Sequence, residues 1–347
     1  MPLVTQETMD RVAHVLLNGG HNMKEALLRQ TPINPPNGNT SMFSGHQLNH
    51  ASLNFTKLKI TDINEMVCFI RFKAIERDHV GAMTFETKFA RELPALVDRA
   101  GWIPCWFLPW SSGRIIKFKI PDIATMPMVN FAGAVAPVAN PSLFFTAGIN
   151  GCSVFAVGAA SAPSMYHAGI NPGSGLVMPL GPNETTEAAW RRLIGRAHTV
   201  KVVGSVGKTD YISELNNPLG ADDTDRVLQG GMKTTRLAAQ MEGSLQLRGN
   251  LSNVTVSPWG AVFGLRDSTG NWTMSLVQNA TVTYQRVVTT VKKHLFKPNE
   301  TIRTNVGETR GLLVNYPISN SYNVGHKDFF PGVGVAIVRN VDLTQVF

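Results

Sequence analysis

Cys152 and His167 are the two residues of this 347-residue chain whose types and spacing could carry out covalent chemistry. A thiol beside an imidazole is the minimum equipment for nucleophilic acyl transfer: the ring removes the thiol proton and the sulfur attacks a carbonyl carbon. The stretch Leu143 to Phe155 is apolar and β-prone, with Gly151 immediately before the thiol. A turn-forming run, Gly158 to Ser164, follows, and then Met165-Tyr166-His167. A chain that leaves along one strand and returns along the next brings Cys152 and His167 side by side. Glycine at 151 lets the backbone approach a substrate closely or take a strained turn. On spacing alone, an inert core thiol near an unrelated histidine is the commoner outcome, since cysteine is among the most buried residue types.

The element Ile149-Asn150-Gly151-Cys152 with its following histidine resembles the Leu-Ser-Gly-Cys element of the Cys-His glutamine deamidase toxins. The likeness is closer to the Burkholderia lethal factor group than to the cytotoxic necrotizing factor catalytic domain. It extends to Trp106-Phe107-Leu108-Pro109-Trp110 with Gly113, to Leu143-Phe144-Phe145-Thr146, to Trp190-Arg191-Arg192, and to Gly260-Ala261-Val262-Phe263-Gly264 with Met274-Ser275-Leu276. It covers roughly residues 50 to 290, and only the block from Thr146 to His167 is specific. Asn150 stands where the family has serine.

The resemblance implies a toxin-like hydrolase, a secreted virulence effector that acts in the target-cell cytoplasm and converts a glutamine of a host protein to glutamate. Its targets by resemblance are a translation initiation helicase, with inhibition of translation, or a small GTPase. It also implies an α+β fold of central antiparallel or mixed, sandwich-like sheets with peripheral helices. Thr146 corresponds to the third member of the family's catalytic triad. It lies six residues before Cys152, an even separation that puts both side chains on one face if the strand is continuous. The backbone N–H groups around Asn150, Gly151 and Ser153 are candidate donors to the oxyanion that forms during attack. A transglutaminase or a cysteine protease would share the Cys-His pair, and a non-enzymatic β-rich binding protein would carry an inert thiol.

Other chemistry is poorly represented. The sequence from Val202 to Thr209 imitates a phosphate loop, but valine occupies the position of its first glycine, so a strand and turn are expected. His46 and His50 lack a third ligand nearby, and Asp222, Asp223 and Asp225 lack the glycine and distal glutamate of a cation loop, so no metal or cofactor is expected. Cys68 and Cys105 sit in apolar runs and read as core thiols. The net charge of +8 is scattered rather than gathered into a basic tract, which favours an electrostatically steered protein partner over nucleic acid. No apolar run is long enough to span a bilayer, no membrane partner is expected, and Met1 to Glu7 lacks the features of a secretory signal.

The elements that must position the pair are mostly strands. Short apolar or alternating runs are expected at 51–60, 66–72, 82–89, 102–108, 114–120 and 143–155, then at 200–206, 243–251, 260–265, 274–284 and 312–316. Helices are expected at 6–17, at 22–30 capped by Asn22, and at 183–198 capped by Asn183, with a short one between 224 and 241. The Pro/Gly/Asn-rich run from Thr31 to Thr40 suggests a boundary. Residues 1–40 are therefore expected to be a helical extension, 41–295 the catalytic domain, and 296–347 an extension packed upon it.

Overall fold

The computed structural model describes residues 6–36, 60–63, 67–74, 83–89, 93, 101–110, 114–131, 134–169, 182–184, 186–197, 202–207, 210–211, 251–309, 312–314 and 317–331. The expectations for 51–59, 243–250 and the helix between 224 and 241 fall outside these residues, as do His46, His50 and the aspartates at 222, 223 and 225. In chain order the elements are α1 (Gln6–Asn18), α2 (His21–Gln30), β1 (Ile60–Ile63), β2 (Val67–Ala74), β3 (Met83–Phe89), β4 (Ile103–Leu108), β5 (Arg114–Lys119), β6 (Met128–Phe131), β7 (Ala134–Pro137), β8 (Leu143–Thr146), β9 (Ser153–Val157), β10 (Ser164–Gly169), α3 (Thr186–Ala197), β11 (Val202–Val206), β12 (Leu251–Arg266), β13 (Trp272–Lys292), β14 (Glu300–Thr309), β15 (Leu312–Val314) and β16 (Ile318–Phe330). The protein is sheet-rich with few helices, as an α+β reading requires.

Two mixed sheets dominate. One has the order β1-β5-β10-β9-β11; the other runs β15-β14-β13-β12-β8-β4-β2-β3, with β16 also paired to β13. Parallel pairing occurs only at β1–β5 and β4–β8 among these strand pairs. Residue alternation sorts the side chains into layers. Trp106, Leu108 and Phe144 of the larger sheet meet Ile116, Phe118, Val154 and Met165 of the smaller one in a core between the sheets. The opposite face of the larger sheet, with Cys68, Phe85, Phe107 and Phe145, is covered by Met9, Val12, Leu16 and Leu28 of α1 and α2. The opposite face of the smaller sheet, with Phe155, Val157 and Tyr166, is covered by Ala189, Trp190 and Ile194 of α3. The layering is helix, sheet, sheet, helix. Edge strand β11 touches β16 so closely that a Cβ at Gly204 would clash with the Phe329 carbonyl oxygen.

Several expectations change. The N-terminal helices are not a detached appendage: α1 repeats Met9, Val12 and Leu16 at helical spacing and buries all three against the larger sheet. Ile33 forms a bridge to Met83, and Arg29 pairs with Asp328 at 2.6 Å. The boundary placed at 295/296 falls in the loop between β13 and β14, and β13 pairs with both β14 and β16 beyond it. Gly20, not Asn22, caps α2 and makes no side-chain cap. Asn183 takes φ 60°, a turn conformation, and α3 starts at Thr186. The β6–β7 hairpin and strands β14 and β16 lie outside the expected runs: β6 and β7 are only four residues each, and the polar sequences of β14 and β16 give little alternation. The phosphate-loop imitation is strand β11 through Val206.

Candidate active site

The run from Leu143 to Phe155 is not one strand. Strand β8 ends at Thr146 in the larger sheet, and β9 begins at Ser153 in the smaller one. The intervening residues cross between the layers and are pinned on the way. The Ala147 N–H donates to the Leu108 carbonyl at 2.9 Å, and Ile149 exchanges two hydrogen bonds with Gly260, at 2.8 and 2.9 Å. Gly151 adopts φ 102°, a conformation that a side chain would strain. The premise of a continuous strand linking Thr146 to Cys152 therefore fails. Alternation nonetheless turns Thr146, like Phe144, toward the space between the sheets, where Cys152 also packs.

Strand β10 delivers His167. It pairs antiparallel with β9, with His167 opposite Val154 and Ala168 opposite Ser153. Cys152 lies two residues before Val154, so it and His167 are diagonal neighbours on the face between the sheets, a relation that spaces Cβ atoms by roughly 7 Å. On the other side of His167 lies Ile116 of β5. The structure thus brings Cys152, His167 and Thr146 to one interlayer from three strands or strand ends. Ser153 alternates to the opposite face, so only its backbone is oriented toward the site.

Burial sets the electrostatics. Cys152 is 7% exposed and its thiol is pushed up to about 11, mainly by desolvation of the thiolate. The Trp110 indole N–H and the Asn150 backbone N–H oppose that shift by facing the sulfur. His167 is 1% exposed, and burial pushes its imidazole down to about 3. At neutral pH the resting pair is therefore an uncharged thiol and an uncharged imidazole, not a thiolate–imidazolium pair. Both ring nitrogens of His167 lack a hydrogen-bond partner among the described residues, so neither the thiol nor Thr146 engages them in this state. The Thr146 hydroxyl instead donates to the Ala147 carbonyl at 2.7 Å. Cys68 and Cys105 are fully buried with their sulfurs 3.7 Å apart, and desolvation raises the Cys105 thiol well above its ordinary range.

Tyr211, which no sequence expectation singled out, holds the turn at Gly151 and Cys152. Its hydroxyl accepts the Gly151 N–H at 2.5 Å and donates to the Cys152 carbonyl at 3.2 Å. One buried oxygen thus clamps the peptides on both sides of Gly151 and Cys152, and it occupies the Gly151 N–H. Desolvation raises the phenol further above its ordinary value, so it stays neutral. Tyr211 is anchored in turn through Asp210. The Asp210 carboxylate accepts the Gly207 N–H at 2.8 Å and pairs with Lys327, and its carbonyl accepts the Gln278 amide at 2.6 Å. No local sequence signal marks this tyrosine, because its partners lie about sixty residues away in the chain.

Among the described residues no group of three or more His, Cys, Asp or Glu could hold a metal ion. No helix among them is long and apolar enough to cross a membrane. Comparison of the chain with protein-family models matched none of them, and comparison with curated proteins found no significant relative.

Proposed function

We propose that this protein is a thiol hydrolase of the necrotizing-factor deamidase type, converting a glutamine of a host target protein to glutamate, with Cys152 as nucleophile and His167 as base. The observation that carries the reading is the imidazole. A buried histidine with two unpartnered nitrogens costs about 1–3 kcal/mol in desolvation left uncompensated. A group kept at that cost, diagonal to a thiol, is positioned for a partner that arrives with substrate. The resemblance around Thr146 to His167 supports the same choice of reaction, with the translation initiation helicase or a small GTPase as the class of target.

The chemistry follows from a neutral pair. His167 takes the thiol proton as sulfur attacks the carboxamide carbon, and the C–S bond forms as the carbonyl π bond opens. The imidazolium then gives its proton to the amide nitrogen, and the C–N bond breaks to release ammonia. Water attacks the resulting thioester with His167 again as base, and the thiol leaves as the glutamate forms. Each amide consumes one water and yields one ammonia. Thr146 would orient the imidazole only after its hydroxyl turns from Ala147.

One observation favours a second reading. A thiol 7% exposed with its pKa raised suits an inert core residue in a β-rich binding protein. Intact-mass measurement of candidate host proteins separates the two. Wild type should add about 1 Da per glutamine converted, the mass difference of NH₂ and OH, and Cys152→Ser should add none because serine needs a stronger base. Equal conversion by a folded Cys152→Ser protein would reject Cys152 as the nucleophile.

A further inference from the structure

Building on that reading, we infer that the indole N–H of Trp110 is a catalytic hydrogen-bond donor that receives the substrate's carboxamide oxygen and stabilises the oxyanion formed when Cys152 attacks. Trp110 lies two residues beyond the end of β4, whose Leu108 pairs with Thr146 in parallel register. That register sets it beside the crossover from β8 to β9, where the nucleophile's turn lies. Its Nε1 is buried and meets no oxygen or nitrogen acceptor among the described residues, only the Cys152 sulfur, yet the ring as a whole is only half-buried. A buried N–H with only a weakly accepting thiol before it is costly, and one facing a nucleophilic sulfur points to where a carbonyl oxygen must sit during attack.

Alternative donors are accounted for. The Gly151 N–H is occupied by Tyr211. The Asn150 N–H faces the thiol and can serve as the second donor. The indoles of Trp106 and Trp272 are also unpartnered, but both rings are enclosed: Trp106 packs on Phe118 at 5.3 Å, and the Arg266 guanidinium covers Trp272 at 5.3 Å. Trp110 is the one of the three that borders both the thiol and the surface. The ligand chemistry this implies is a neutral, planar primary carboxamide, whose oxygen accepts from Trp110 while its carbon meets Cys152.

Two alkylating probes test this without any target protein. Iodoacetamide carries a primary carboxamide, and methyl methanethiosulfonate carries none. Labelling of Cys152 is followed by peptide mass, with Cys68 and Cys105 as buried internal controls. Trp110→Phe keeps an aromatic ring and removes the donor. It should lower the iodoacetamide rate relative to the methanethiosulfonate rate by about tenfold, and Trp110→His, which restores a ring N–H, should recover part of it. An unchanged ratio in a folded Trp110→Phe protein overturns the assignment, as does a change that Trp110→His does not reverse. If Trp110→Phe fails to fold, the ratio in Trp110→His alone decides: near wild type supports the donor role, while a tenfold fall overturns it. The outcomes separate from those of the reaction itself. A shifted ratio in a protein that deamidates nothing leaves a carboxamide-binding site and rejects the hydrolase. Turnover at Cys152 with an unshifted ratio keeps the hydrolase and rejects Trp110.

Discussion

A buried imidazole that pays for its position in stability leaves a measurable signature at the residue scale. The folded His167 stays neutral down to about 3, while the unfolded chain takes up its proton below about 6.5. Across that window the unfolded state binds more protons, so the folded state loses stability as pH falls. His167→Leu removes both the titration and the orphaned nitrogens. It should abolish deamidation yet raise the melting temperature by about 2–5 °C at pH 7, since one to a few kcal/mol of uncompensated desolvation is relieved. The gap should widen between pH 6.5 and pH 4, and a gap that stays constant with pH would mean that His167 is solvated in solution. Thr146 has a different balance. Its hydroxyl is committed to Ala147, so Thr146→Val should cost about 1 kcal/mol of stability and less than tenfold in turnover, giving a dyad. A loss of a hundredfold in kcat at unchanged KM would instead show that the hydroxyl leaves Ala147 for the imidazole during reaction.

At the scale of the element, the site depends on a crossover rather than on a strand. Residues 147–152 leave one sheet and enter the other, and Leu108, Pro35, Gly260 and Tyr211 hold them at four points. Tyr211→Phe removes the last of these and leaves the ring packing intact. Gly151 and the Cys152 carbonyl are then free to move, so the thiol should label faster with iodoacetamide, by about fivefold or more. Turnover should fall about tenfold, because misplacing a nucleophile raises the barrier more than it weakens binding. Cys68 and Cys105 should remain unlabelled. Labelling of all three thiols together would show a general loosening, not the loss of a local clamp.

For the molecule as a whole, the N-terminal helices are part of the core. Met9, Val12, Leu16, Leu28 and Ile33 bury against the larger sheet, and such side chains contribute about 1.5–3 kcal/mol each. Their sum is comparable to the roughly 5–15 kcal/mol that keeps a domain folded. Removing residues 1–36 should therefore give an insoluble or unfolded product. A soluble, active product would show that the sheet face they cover can be left bare. At the other end, the hairpin of β13 and β14 runs past the body of the sheet. Its tip residues Leu295 and Phe296 are 94% and 97% exposed.

Local pattern alone was enough for the short apolar or alternating strands bounded by turn residues and for the amphipathic first helix. Strands β2, β3, β4 and β5 lie within two residues of their expected bounds, and α1 within one. It also marked Cys152 and His167 as a candidate pair, while the choice of chemistry came from the resemblance; β9 and the adjoining β10 form the hairpin that brings the two near each other. What local pattern could not supply was the break at Ala147. An apolar run reads the same whether it continues along one sheet or crosses to another, since both faces of a central strand are buried. Nor could it supply the burial that makes the pair neutral, the Tyr211 clamp, or the unpartnered Trp110 N–H. These depend on which distant strands pack across the interlayer, and desolvation is a property of that packing rather than of any residue in it.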